Sequence, residues 1–198
     1  MIIGTHPPMP YCGKLDFYYG NMSEFWRFLD KVYPGNKLYA NDCPRKSDII
    51  KFLDKGYFAI TDMVYITRVE KFSTDAEMGK IESSDLNPSL KKWLNESNVV
   101  AIYFTSFSGS NSAKHLFKKW YKENFKIEPK SNKITSAHVN KIQLFGRKIK
   151  LIDLFSPSPT ARRSSPRVAE YKKWKKMNQF KNYDDFRIFW YKKYLPKL

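Results

Sequence analysis

Four short polar segments hold the side chains most capable of chemistry: Thr5-His6-Pro7, Thr61-Asp62, Thr105-Ser106 and Ser156 to Arg163. An unperturbed imidazole is mostly neutral at pH 7, so His6 is able to position a water molecule or take its proton. Asp62, as a carboxylate, offers acceptors only and favours partner edges that present N–H groups. The last segment reads Ser156-Pro157-Ser158-Pro159-Thr160-Ala161-Arg162-Arg163. Ser and Pro at the end of a strand ordinarily make a turn and nothing more. With two guanidinium groups directly after it, this run also has the makings of a phosphate grip built from backbone N–H groups and the hydroxyls of Ser156, Ser158 and Thr160.

The elements that must position these residues are legible from hydrophobic patterning. Met1 to Gly4, Phe58 to Val64, Val99 to Thr105 and Ile149 to Phe155 are apolar runs ending in polar or proline-bearing residues, which predicts four buried strands. Helical patterns separate them at Ser23 to Val32 behind a Ser N-cap, Lys46 to Lys55, Ser89 to Asn95 and Ser112 to Asn124. Lys141 to Lys150, with Gly146-Arg147 in its middle, reads as a hairpin feeding the last strand. Pro166 to Met177 and Tyr183 to Tyr194 read as two basic helices. Strands alternating with helices predict an α/β fold, a three-layer α/β/α sandwich around a central, mainly parallel four-stranded sheet. In such sheets ligands bind at the carboxyl ends of the strands, which is where the four polar segments fall.

Composition narrows the function. A chain of 198 residues with 42% apolar and 17% aromatic content is expected to fold as one domain, residues 1–198. The 36 Lys and Arg against 19 Asp and Glu give +17, of which +11 lies after Gly146. Such a surplus points to a polyanion partner met mainly by the C-terminal part. The longest apolar stretch, Val99 to Phe107, falls far short of the roughly 20 residues that cross a bilayer. With no charged-then-apolar leader in view, a cytoplasmic protein without membrane contact is expected. Cys12 and Cys43 alone supply neither a disulfide framework, nor a four-thiolate zinc site, nor an iron–sulfur cluster, so no cofactor and no metal are expected.

Gly4-Thr5-His6-Pro7-Pro8, followed by Phe17-Tyr18-Tyr19-Gly20-Asn21 and Phe25-Trp26, resembles the first signature of the uracil-DNA glycosylase superfamily. There a Gly-x-(Asp or Asn)-Pro turn after the first strand carries the catalytic residue, and a later aromatic stacks on the flipped base. Ser156 to Arg162 resembles the Pro-Ser-Ser-Ser-Ala-Arg loop of the thymine-DNA and mismatch-specific uracil-DNA glycosylase branch, whose Arg enters the duplex. Ile60-Thr61-Asp62-Met63-Val64 resembles that branch's Thr-Asn-x-Val segment, whose Asn reads the base edge. The resemblance implies a monofunctional DNA-base glycosylase of base-excision repair, acting as a monomer on DNA. His6 then takes the catalytic place, while Thr5, Phe17, Tyr18, Tyr19, Asp62, Thr105 and Ser106 hold the base. Ser156, Ser158, Thr160, Arg162 and Arg163 contact DNA, with Arg162 as the wedge filling the vacated stack and Arg163 on a phosphate.

Three positions depart from the family pattern. His6 replaces the Asp or Asn, Ser156 stands where many relatives carry a His that stabilises the leaving base, and Asp62 replaces the reading Asn. A carboxylate repels a uracil carbonyl, so the expected substrate is a damaged or deaminated base other than plain uracil. The departures keep open a non-catalytic DNA-binding member of the superfamily. A hydrolase built on Ser156 or Ser158 with a His is a third option, though no Gly-x-Ser-x-Gly elbow is present. His115 and His138 fall away from the strand tips and are assigned no role.

Overall fold

A computed structural model describes residues 1–6, 18–19, 24–65, 75–126, 138–177 and 180–198. In chain order the regular elements are β1 (Ile2–Gly4), α1 (Phe25–Val32), β2 (Tyr39–Ala40), β3 (Cys43–Pro44), α2 (Lys46–Asp54), β4 (Ile60–Asp62), α3 (Leu90–Glu96), β5 (Ala101–Phe104), α4 (Ala113–Phe125), β6 (Val139–Leu144), β7 (Arg147–Asp153), α5 (Ala169–Met177) and α6 (Tyr183–Tyr194). The fold is α/β. It divides into two compact units, one of Met1–Pro7 and Ala59–Leu154, the other of Pro8–Phe58 and Phe155–Leu198. Each unit is assembled from two separate stretches of chain.

The first unit is built on a five-stranded sheet in the order β4-β1-β5-β7-β6. β1 pairs in parallel with β4 and β5, and β5 pairs in parallel with β7. Every residue of β1 and β5 is buried, as expected for central parallel strands that read as unbroken apolar runs. The expected count of four strands is corrected to five. The first arm of the predicted hairpin, β6, stays paired with β7 from Leu144 opposite Arg147 to Val139 opposite Ile152, adding an antiparallel edge. Its Ile142 and Leu144 are buried while Lys141 and Gln143 face water, the alternation of a strand covered on one side.

The hairpin turns at Phe145-Gly146, one residue earlier than expected, with φ of 47° and 72°. Positive φ at both central residues matches the twist of the flanking strands, and the second is the natural place for Gly. Phe145 bears the less natural position and sets its ring edge-on to Phe125 at 5.2 Å. Beyond the turn, Arg147 donates to the carbonyls of Leu94 and Ser97, satisfying acceptors that the end of α3 leaves open.

One face of this sheet supplies Ile3, Ile102, Phe104, Ile149 and Leu151 to a core completed by Leu90 and Leu94 of α3 and by Leu116, Phe117 and Trp120 of α4. α4 starts where the sequence places it, with the Ser112 hydroxyl accepting the His115 N–H at 3.3 Å. The run expected to be a strand from Phe58 to Val64 is shorter, spanning Ile60–Asp62. Val64 instead forms an isolated bridge to Leu86.

The second unit is organised by α1 against α6, through Phe28 on Tyr191 at 5.7 Å and Phe25 on Tyr191 at 6.3 Å. α5 packs on α6 through Tyr171 on Phe186 at 5.4 Å and Trp174 on Phe189 at 5.0 Å. The side chain of Asn182 caps α6, reciprocated by Asp185, as a capping box. The Ser N-cap expected before α1, Ser23, lies outside the described residues. Among the described residues no helix is long and apolar enough to cross a membrane.

Candidate functional site

Parallel pairing puts the carboxyl ends of β1, β4, β5 and β7 along one edge of the sheet. The chain moves from β1 to β4 on one side, then returns past β1 to β5 and β7 on the other. The order therefore reverses between β1 and β5, the position at which open α/β sheets offer a crevice. Thr5 and His6 leave β1 there, and Thr105 and Ser106 leave β5.

Thr5 and Ser106, 101 residues apart, share a hydroxyl–hydroxyl hydrogen bond of 2.7 Å. Ser106 is pinned from behind by the first turn of α4: its Oγ accepts the Ala113 N–H at 2.8 Å and its carbonyl accepts the Lys114 N–H at 3.1 Å. Thr105 is buried and donates its N–H to Ile3 at 3.2 Å, while His6 is half-buried. On the far side of β1, Asp62 stands opposite Gly4 and is buried. Asn87, which sequence patterning does not single out, fixes this tip by donating to the Thr61 hydroxyl at 3.0 Å and to the Asp62 carbonyl at 3.1 Å. Thr5, His6, Asp62, Thr105 and Ser106 thus occupy three adjacent strand ends of one unit.

A further polar group ends β7. Asp153, 2% exposed, takes an ion pair from Lys114 at 2.7 Å, and its carboxylate lies 3.4 Å from His138 Nδ1. Phe107 meets the His138 ring edge-on at 5.3 Å. His138, expected to have no role, therefore sits beside a strand-end carboxylate. An acid closing the buried run Leu151-Ile152-Asp153 was the available signal. Among the described residues no three His, Cys, Asp or Glu side chains gather as metal ligands.

The remaining residues belong to the second unit. Phe17 lies outside the described residues. Tyr18 accepts the Trp26 indole N–H on its carbonyl at 2.7 Å, and the Tyr19 ring stacks on Phe25 at 4.0 Å. In the Ser-Pro loop, Ser158 and Thr160 join hydroxyls at 2.7 Å, and Ser156 Oγ accepts the Ser158 N–H at 3.2 Å. Pro159–Arg167 then forms a 3-10 segment where a loop is expected as far as Arg163, and the helix expected from Pro166 starts at Ala169 instead.

Arg187 holds this loop from beneath, and in the sequence it is one of three basic residues of α6 with no signal of its own. Its guanidinium is fully buried, donates to the Ser156 carbonyl at 2.5 Å and the Ser158 carbonyl at 3.0 Å, and pairs with Asp184. The rings of Phe28 and Tyr183 lie 4.7 and 5.1 Å from it. Two carbonyls of the loop are thereby held by one side chain. Arg162 is 47% exposed and binds Asp184 through two nitrogens, at 2.6 and 3.1 Å, with Glu24 at 3.4 Å. Arg163, next to it, is exposed. Burial disfavours the charge on Asp184, but hydrogen bonds from Arg162 and Arg187 and their positive fields prevail, holding its carboxyl well below the usual carboxylate range.

No family model, curated protein or solved structure matches this chain.

Proposed function

We propose that the chain is a DNA-base glycosylase of the uracil-DNA glycosylase kind, which flips a damaged or deaminated base and hydrolyses its N-glycosidic bond. The observation that carries this reading is the meeting of Thr5 and Ser106 at the sheet's point of reversal, beside His6. Thr5, His6, Asp62, Thr105 and Ser106 lie on three adjacent strand ends, the edge at which an α/β sheet takes its ligand. The three-layer α/β/α arrangement and the cytoplasmic location expected from the sequence belong to the same proposal.

Cleavage develops positive charge on the sugar and negative charge on the departing base. Neutral His6 orients a water and accepts its proton as the water oxygen bonds to C1′. The C1′–N bond breaks, its electron pair leaving with the base. Asp62, accepting only, selects base edges that carry N–H groups. The second unit supplies the hold on DNA: aromatic surface from Tyr18 and Tyr19, hydroxyls from Ser156, Ser158 and Thr160, and cations from Arg162 and Arg163.

The deciding experiment incubates the purified protein with duplexes carrying uracil, hypoxanthine, xanthine or mismatched thymine and scores abasic sites by alkaline cleavage. Product from at least one duplex is expected. His6 in place of the family's Asp or Asn favours a second reading, a DNA-binding member without chemistry. That reading prevails if every duplex is bound and none is cut.

Arg162→Ala is expected to weaken binding or excision more on paired duplexes than on single strands, since a wedge matters only where a stack must be opened. Arg163→Ala serves as the control and should affect both substrates alike. Equal losses from Arg162→Ala on the two substrates would reduce Arg162 to a phosphate contact.

A further inference from the structure

α5 reads Ala169-Glu170-Tyr171-Lys172-Lys173-Trp174-Lys175-Lys176-Met177. Its aromatic side is fully engaged within the second unit. Tyr171 meets Tyr183 at 5.1 Å, Trp174 meets Phe189 at 5.0 Å, and Lys193 of α6 lies over the Trp174 ring at 4.4 Å. At about 100° per residue, Trp174 lies about 300° around the helix from Tyr171, so the packed side is centred between them. Lys172, Lys176 and Lys173 fall at about 100°, 140° and 200°, diametrically opposite that side. Lys175 folds back over Tyr171 at 5.6 Å.

All three outward lysines are exposed, and none enters an ion pair among the described residues. The single acid of the helix, Glu170, is in its first turn, where a negative charge complements the helix dipole. Lys172 and Lys176 are spaced i, i+4 and Lys173 and Lys176 i, i+3, so like charges repel along the same face. Arg163 and Arg167, both exposed, precede the helix in the 3-10 segment. A solvated helix face ordinarily mixes both signs; the charges of this one are all positive.

We propose that the outward face of α5, with Lys172, Lys173 and Lys176 at its centre, is a phosphate-backbone track that lies along duplex DNA. The choice of DNA as the polyanion rests on the functional reading above, while the charge geometry is independent of the chemistry. Contacts of this kind carry no sequence information; they set affinity and register and are read through salt.

The test measures binding of the full chain to an undamaged duplex across a salt series, so that excision plays no part. A Lys172→Gln, Lys173→Gln, Lys176→Gln variant is compared with a charge-matched control, Lys37→Gln, Lys51→Gln, Lys55→Gln. If three phosphate contacts are lost, the slope of log affinity against log salt becomes shallower by about 2.7, at about 0.9 for each contact. The control should leave the slope near that of the parent. Equal changes in the two variants would assign the effect to net charge and overturn the track, as would an unchanged slope in the α5 variant. Phosphatidylserine vesicles form a parallel arm: a parent that ignores duplex DNA but binds vesicles through these lysines overturns the assignment to DNA. A shallower slope in a protein that leaves every lesion uncut sustains the track and removes only the glycosylase reading.

Discussion

Asp184→Asn is expected to lower folding stability by about 3–5 kcal/mol, the usual cost of leaving a buried charge without its partner. The charge at stake is Arg187, fully buried between the rings of Phe28 and Tyr183. Asp184 is the one carboxylate paired with it among the described residues. The same carboxylate takes Arg27 at 2.7 Å and Arg162 at 2.6 Å, so its neutralisation leaves those two guanidinium groups with Glu24 and leaves Arg187 with no carboxylate among the described residues. Two carbonyls and two aromatic faces remain for Arg187, and neither kind of group cancels a full charge. The acid limb carries the signature. Because the folded-state pKa of Asp184 is depressed, its contribution is complete above the ordinary value of 3.8 and is lost as pH falls below it toward the folded value. Urea unfolding between pH 7 and pH 3 should therefore show the parent losing stability below about pH 4. The variant should start lower and show a flatter acid dependence. A loss under about 1 kcal/mol with the parent's acid slope retained would mean that the carbonyls and rings suffice to hold Arg187.

That network also marks where sequence reading stops. The central strands were legible because β1 and β5 are buried on both faces and leave unbroken apolar runs. β6 was visible only as a hairpin arm, since its alternating pattern does not reveal that it closes the sheet edge. β2 and β3, two residues each around Asn41 and Asp42 at φ of 50° and 55°, are too short for any periodicity and look like a polar loop. Phe58 reads as part of a strand because it precedes Ile60, yet it packs on Tyr33 and Phe52 at 5.8 and 5.6 Å. At the candidate site, Thr5 and Ser106 follow from the rule that ligands sit at strand ends. The residues that fix those ends do not. Asn87 reaches Asp62 across 25 positions, Lys114 reaches Asp153 across 39, and Arg187 reaches Ser156 across 31, and each is an ordinary polar residue until the fold brings its partner near.

On the proposed reading, His6→Ala and Asp62→Asn are expected to separate rate from specificity. His6 acts at the sugar and water, which every substrate shares, so its removal should lower single-turnover excision by about 10²-fold or more on every duplex that the parent cuts. Asp62 acts at the base edge. Its carboxylate accepts hydrogen bonds only, whereas Asn presents one donor and one acceptor group on nearly the same frame. A site built around hydrogen bonds discriminates strongly against a ligand that leaves one of them unmade, so Asp62→Asn should reorder the bases accepted, moving preference toward edges that carry a carbonyl. The carbonyl of Asp62, which accepts from Asn87 at 3.1 Å, belongs to the main chain and survives the substitution. Burial of Asp62 beside Gly4 makes folding the competing explanation, and urea unfolding of both variants removes it. With stability retained, an unchanged base ranking in Asp62→Asn would take Asp62 out of the base-reading role, and full excision by His6→Ala would take His6 out of the chemistry.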